Sequence, residues 1–529
     1  MRTLIFAISV QFVVLASARA QAPSVEAAVA FNASAGGVAQ VVIDDPVVEV
    51  EPELVVESDE VLEPIFPQEA LDEHLDNRIF RDANVGLQLV DLGTGDELFA
   101  HRADEGLTPA STMKVLTAAT ALRELGPAYR FNTRIFRSGE VDGSGELDGD
   151  LYIQGGGDPT LVIERLWKLV YDLKLEGIER ISGDVFFDDS HFDDRTRISG
   201  WNKPVDIRRG PAYFAPIGAL SLNFNTVATV ISPGLGVGDP ARVRLETNAP
   251  GIAILESEMV TGSARSRRRI NIERTVDGSS VTLTVTGSIP AASDAVRYYR
   301  TVPDPTAYFM SAFEWFMESQ GIEVDGDFSE GLTPADLPMV AQLQSPPLAA
   351  ILMDMNKYSS NFIAEQVLKE IGAHATDSQG STLKGLQVIS DYLGTLGISE
   401  SEFVIVNGSG LSRQTVLRPR HLTAVLVDMA SDPTVSSEFT ASLAIGGRDG
   451  TLWSRFRDDS MIGRVRGKTG TINGVHGLVG YLHGEDGQEY AFAYLVNNLR
   501  GSVSRARQAH EQFIGILLSP ANTGTAGEP

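Results

Sequence analysis

Gly467-Lys468-Thr469-Gly470-Thr471 leads into Gly477-Leu478-Val479-Gly480-Tyr481-Leu482, and after a turn at Gly484-Glu485-Asp486-Gly487 the chain returns as Tyr490-Ala491-Phe492-Ala493-Tyr494-Leu495-Val496. Two strands with almost no polar break do not suit a half-solvated sheet, where apolar and polar residues alternate. They imply cover on both faces of the sheet and, with the helical runs elsewhere in the chain, an α/β fold. An edge strand carrying Lys468 and Thr469 ahead of that hairpin offers a cation and a hydroxyl that can bind a carboxylate. The competing reading, a phosphate loop, fails. G-x-x-x-x-G-K-[ST] needs a first glycine where Ile462 stands, and the segment precedes strands rather than a helix.

Two further motifs lie upstream. Ser111-Thr112-Met113-Lys114 opens the small-residue apolar run Val115 to Leu122, which reads as a helix ended near Gly126-Pro127. Ser359-Ser360-Asn361 lies between it and Lys468-Thr469-Gly470. In that order S-x-x-K, S-x-N and K-T-G describe a serine acyl-transfer site. Residues i and i+3 share a helix face, so Lys114 falls within reach of the Ser111 hydroxyl. A serine attacks poorly unless a base takes its proton. A lysine can serve if burial and nearby positive charge lower its pKa, and Lys468 is the candidate for that charge. Ser359 and Asn361 flank Ser360, so in extended geometry both point the same way. Ser359 can then relay a proton to a leaving amine while Asn361 orients Lys114 and the substrate amide. A helix cap before Phe362 is the plainer reading of that triplet. The backbone N–H groups of Thr471 and Ser111 can form an oxyanion hole, worth about 3 kcal/mol per donor.

The chain has eight lysines, and a serine stands three residues before two of them, Lys114 and Lys384. Ser381 follows the S-x-N motif instead of preceding it, so it reads as a helix N-cap. No H-E-x-x-H motif is present, and neither metal nor cofactor is implied.

With 529 residues the chain suits about two to four domains. Met1-Arg2, the apolar run Leu4 to Leu15 and Ala18-Arg19-Ala20 read as a cleaved secretory signal over 1–20, too short to span a bilayer. The expectation is an exported, periplasmic protein. With no cysteine in the sequence, neither a lipid-modified cysteine nor a disulfide is available. The net charge of −27 argues against nucleic acid as a partner. Eleven acids and no Lys or Arg lie between Gln21 and Glu69, which reads as a disordered solvating linker, with a tether or a recognition tail as the alternative. A first part of the catalytic domain spans 70–130, with a hairpin at Val85–Val90 and Leu98–Ala100. Short β-like runs split by Gly and Asp predict inserted β-rich domains over 131–304. Helical patterning at Ala307–Ser319, Leu348–Ile371, Leu383–Leu396 and Pro419–Ala430 returns the chain to that domain over 305–519, closed by a helix from Ser504 to Leu518. A disordered tail covers 520–529.

On these residues the chain resembles the penicillin-recognising serine D-Ala-D-Ala carboxypeptidases. Among them it looks most like the low-molecular-mass class C penicillin-binding proteins, peptidase family S13. The likeness runs from about residue 80 to residue 518. It rests on the three motifs and on the 248 residues from Ser111 to Ser359. Class A β-lactamases place these motifs far closer together, whereas the class C family inserts two extra domains there. Other family-like stretches are Gly155–Leu161, Ala215–Asn223, Asn407–Arg413 and Gly446–Leu452.

The resemblance implies a transpeptidase-like core, a five-stranded, mainly antiparallel sheet with helices on both faces, interrupted by β-rich inserts. It makes Ser111 the nucleophile and Lys114 its base. Ser359 and Asn361 become the second element, and Lys468, Thr469 and Gly470 the third. Arg413 falls where the family binds a side-chain carboxylate of the peptidoglycan stem. The acids Asp188, Asp189, Asp193 and Asp194 could hold a diaminopimelate ammonium or form a solvated turn. The implied activity is D-Ala-D-Ala carboxypeptidase action on peptidoglycan stem peptides, with endopeptidase action as a second use of the site and β-lactams as inhibitors. Two rivals are a β-lactamase or esterase on the same fold and a non-catalytic wall scaffold.

Overall fold

Along the strand Glu489–Asn497, Ala491, Ala493 and Leu495 face one core while Phe492, Tyr494 and Val496 face another. That period of two places cover on both sides of the sheet. The first core is shared with the helices Met113–Leu125, Leu348–Lys357, Asn361–Thr376 and Pro419–Ser431. The second is shared with Gln68–Leu75 and Val503–Leu518. The computed structural model describes residues 66–519, apart from 202, 248, 485, 486, 501 and 502. The expected export signal, nearly all of the acidic segment and the 520–529 tail lie outside the described residues.

The sheet has six strands in the order Ala444–Ile445, Val465–Ile472, Val475–His483, Glu489–Asn497, Asn84–Asp91 and Glu97–His101. Every neighbouring pair is antiparallel. The resemblance implied five strands. The sixth is the two-residue Ala444–Ile445, too short to show a pattern, and it pairs only with Gly467 and Arg466. Past Gly467 no described strand pairs with the outer edge of Val465–Ile472, which leaves that edge open among the described residues. Gly446 N–H donates to Val465 O, which fixes that residue's backbone groups as facing outward. In an antiparallel ladder alternate residues face the same edge, so Gly467, Thr469 and Thr471 also direct N–H and C=O outward.

The insert leaves and returns at one place. Asn132–Arg137 pairs antiparallel with Met339–Gln344, and Ser345 N–H donates to Phe131 O at 2.9 Å. The boundary expected at 304/305 therefore falls too early. The helix Pro305–Ser319 buries Tyr308, Phe309, Ala312 and Phe313 in the insert's own core, with Leu151, Ile153 and Phe187. Its helical period alone could not tell which core it would join. The insert also carries the helix Ile163–Leu175, one five-stranded sheet and three three-stranded sheets.

Candidate active site

Ser111 sits in a 3-10 turn, Ala110–Thr112, that runs into the helix Met113–Leu125. Ala110 adopts φ 49°, a left-handed conformation that costs a non-glycine residue about 1–2 kcal/mol and holds only where neighbours enforce it. Two glycines from other parts of the chain press on this turn. A Cβ on Gly410 would lie 1.9 Å from Ala110 O, and one on Gly470 would lie 2.6 Å from Pro109 O. The K-T-G glycine thus lets the edge strand close onto the serine turn.

Lys114 is fully buried one turn beyond. Its Nζ lies 3.1 Å from Ser111 Oγ, 2.7 Å from Asn361 Oδ1 and 2.7 Å from Ser409 O. Burial lowers its pKa to about 7, with the Glu365 carboxylate pulling the other way. A neutral amine has two N–H bonds and one lone pair. With the two N–H bonds donated to Asn361 and Ser409, the lone pair faces the Ser111 hydroxyl. The positive charge expected from Lys468 does not cause this shift. Lys468 is buried as well, and its own pKa is lowered by desolvation and then by the charge on Lys114.

Lys468 Nζ donates to Ser359 Oγ at 2.9 Å and to Thr469 O at 2.8 Å. The S-x-N triplet reaches the site by a route other than extended backbone. Ser359 adopts φ 59°, Ser360 caps the helix Asn361–Thr376 by accepting from Ile363 N–H at 3.2 Å, and Asn361 is already helical. The cap and the site are therefore the same feature, read from adjacent residues. The left-handed Ser359 breaks the Leu348–Ile371 pattern into two helices.

Sequence reasoning missed the groups that hold these side chains. Glu365, one turn after Asn361, accepts the Ser409 N–H at 2.8 Å and the Gly408 N–H at 3.4 Å. Thr117 Oγ1 donates to Gly408 O at 2.7 Å. The Asn407–Arg413 stretch is thereby fixed against the serine helix. Lys357 Nζ donates to Asp449 Oδ2 at 2.6 Å, and Thr469 Oγ1 donates to Thr451 Oγ1 at 2.9 Å, so Gly446–Leu452 braces the edge strand. The insert contributes too. Tyr213 O accepts from Asn361 Nδ2 at 2.9 Å, and Ile198, Trp201 and Phe214 pack with Leu411 against Ile472. Those last contacts span a long insertion, and no local pattern announces them.

Ser111, Ser359, Thr469, Gly470, Thr471 and His476 line one cavity of about 230 Å³. Arg413 is exposed, with its guanidinium donating to Asn473 O just past Thr471. Ser381 is a cap: its Oγ accepts the Lys384 N–H at 3.3 Å, while Lys384 Nζ bonds Ser378 and Gln379. Most of the acidic cluster serves the fold. Asp188 accepts from Ser190 and Thr333 N–H, Asp189 accepts from Leu220 N–H, and Asp193 pairs with Lys369 at 2.6 Å. Only Asp194 is exposed.

A buried lysine facing a serine, on a helix set against a sheet edge that can hold an extended peptide, defines a serine acyl-transfer enzyme of the penicillin-recognising kind. The family model for the D-Ala-D-Ala carboxypeptidase 3 (S13) family matches residues 67–516, and the chain belongs to that family. It is a D-Ala-D-Ala carboxypeptidase of the class C penicillin-binding group. The D-alanyl-D-alanine carboxypeptidase of Actinomadura sp. (strain R39) is 36% identical over 465 residues, covering 85% of this chain and 84% of that protein. D-alanyl-D-alanine carboxypeptidase DacB of Haemophilus influenzae is 24% identical over 425 residues, covering 80% of this chain and 87% of that one. The crystal structure of penicillin binding protein 4 from Haemophilus influenzae superposes with a TM-score of 0.72 at 22% identity, over 84% of this chain and 97% of that one.

Proposed function

We propose that Ser111 is the acylated nucleophile and that Lys114 is its general base. The observation that carries this is the buried Lys114 amine, with a pKa of about 7, at 3.1 Å from Ser111 Oγ. Ser111 Oγ attacks the carbonyl carbon of the penultimate D-alanine as Lys114 Nζ takes its proton. The tetrahedral oxygen develops negative charge between the N–H groups of Ser111 and Thr471, donors worth about 3 kcal/mol each. As the C–N bond breaks, the proton taken by Lys114 is returned through the Ser359 hydroxyl to the departing D-alanine nitrogen, and Lys468 beside it keeps that hydroxyl oriented. Thr469 and Lys468 hold the departing carboxylate. Water then attacks the ester and restores Ser111. A β-lactam acylates the same oxygen.

The stem lies along the open edge past Gly467, adding one strand to the sheet. Arg413 at its far end receives a side-chain carboxylate. The same chemistry cleaves a cross-link between D-alanine and a diaminopimelate amine, since only the departing amine differs. The N-terminal signal pattern supports action in the periplasm. A β-lactamase reading is disfavoured because the Glu365 carboxylate is turned to the backbone of Gly408 and Ser409. Intact-mass spectrometry with benzylpenicillin tests the assignment. A one-to-one adduct on wild type and none on S111A is expected. An adduct that survives in S111A would overturn it, as would steady destruction of the antibiotic.

A further inference from the structure

The insert carries a second cavity, of about 320 Å³, walled partly by Arg197, Arg208 and Arg274. Three guanidinium groups around one space are unexpected in a chain of net charge −27. Asp206 is the one carboxylate in that wall among the described residues, and it already accepts from Trp201 Nε1 at 3.1 Å. Arg197 and Arg208 are exposed and form no ion pair with any described carboxylate. Arg274 is half-buried and donates only to carbonyls, those of Thr301 at 2.8 Å and Ile207 at 3.3 Å. Burial, and then the like charges of Arg300 and Arg197, hold its pKa below the usual arginine value. The fold is shaped around this side chain. Gly210 adopts φ 56°, and a Cβ there would meet Arg274 Cδ and Nε at 2.6 Å.

A partly desolvated guanidinium among like charges is costly unless an anion joins it. The lining also includes the apolar side chains of Ile207, Phe214, Val276 and Val302. A bare inorganic anion would use only the arginines, whereas a short peptide with carboxylates and alanine methyls would use both. Phe214 also ties the cavity to the catalytic cleft, because its chain neighbour Tyr213 accepts from Asn361. We propose that this cavity binds a carboxylate of a short acidic peptide, the free stem end of a second wall strand, as a site separate from the cleft that holds Ser111. The identity of the peptide rests on the peptidoglycan reading above. The anion site rests on the arginines alone.

The test is calorimetric titration of the full chain, acylated with benzylpenicillin to occupy Ser111, with the free tripeptide L-alanyl-γ-D-glutamyl-diaminopimelate and, separately, with inorganic phosphate. Tripeptide binding by the acylated protein is expected. It should weaken at least tenfold in an R197E/R208E double variant, whose positions are exposed and tolerate charge reversal. The penicillin acylation rate should stay at the wild-type value. Three results would overturn the proposal: no binding by the acylated protein, equal binding by the double variant, or phosphate binding as tight as the tripeptide. Should penicillin fail to acylate, the assignment of Ser111 falls instead, and the same arginine variants read this cavity in the unmodified chain.

Discussion

Glu365 accepts the backbone N–H of Ser409 at 2.8 Å, and the carbonyl of the same Ser409 accepts from Lys114 at 2.7 Å. One buried carboxylate therefore fixes the lysine's carbonyl partner, and its charge offsets part of what burial does to the lysine's basicity. Burial lowers the Lys114 pKa to about 7, and the Glu365 charge opposes that shift. The neutral amine is the base, so the rate of acylation by benzylpenicillin should rise with pH and level off above an inflection near 7. Glu365→Gln removes the anion, disfavours the lysine cation and should move the inflection to lower pH. Acylation rates measured from pH 5 to 9 in both proteins check this. An unmoved inflection would count against Lys114 as the titrating base.

Lys114→Ala should lower the acylation rate by about 10²–10⁴, the usual range for a lost general base. Its effect on stability has a definite sign. The folded pKa of about 7 lies below the unfolded value near 10.4, so between the two the unfolded chain binds more protons. Stability from this group therefore rises with pH across that window, by up to about 1.4 kcal/mol per pH unit, and its penalty is complete below pH 7. The stability of wild type relative to Lys114→Ala should increase from pH 6 to pH 9 in urea unfolding. A pH-independent difference would mean that Lys114 stays charged in the folded chain.

The local motifs were legible because each is a short-range fact. Lys114 must sit one turn from Ser111, and the apolar hairpin must be covered on both faces. What escaped was set by contacts distant in sequence. Ser359 reaches Lys468 through a left-handed residue rather than through strand alternation, and no pattern of side chains reports φ. Glu365 stands on an apolar helix, and nothing local in the sequence pairs it with the loop at Gly408 and Ser409 that it holds. The helix Pro305–Ser319 showed its period but not its partner core.

Ser381 repeats the S-x-x-K spacing without its chemistry. Its hydroxyl accepts the Lys384 N–H at the start of the helix Thr382–Thr395, and Lys384 Nζ points to Ser378 and Gln379. Ser381→Ala should cost about 1 kcal/mol, as for a lost N-cap, and leave penicillin acylation unchanged. Thermal melts and adduct formation on one sample separate the two effects. Loss of the adduct would require a role for Ser381 at the site.

Gly410→Ala should damage the site more than its size suggests. Gly410 adopts φ 73°, and an added Cβ would lie 1.9 Å from Ala110 O and 2.9 Å from Met113 Cβ. Relief requires either the 407–413 loop or the Ser111 turn to move, and Ala110 is itself left-handed. The backbone strain alone is on the order of 1–3 kcal/mol, and a shift of about 1 Å at a reacting group can cost 10²-fold in rate. Gly394→Ala is the matching control. Gly394 lies exposed near the end of the Thr382–Thr395 helix, where a Cβ meets nothing within 4 Å. There alanine should stabilise by up to about 1 kcal/mol and leave acylation untouched. Urea unfolding and acylation rates of the two variants decide the matter. If Gly410→Ala behaved like Gly394→Ala, the close approach of that loop to Ala110 would not be what holds Ser111 in place.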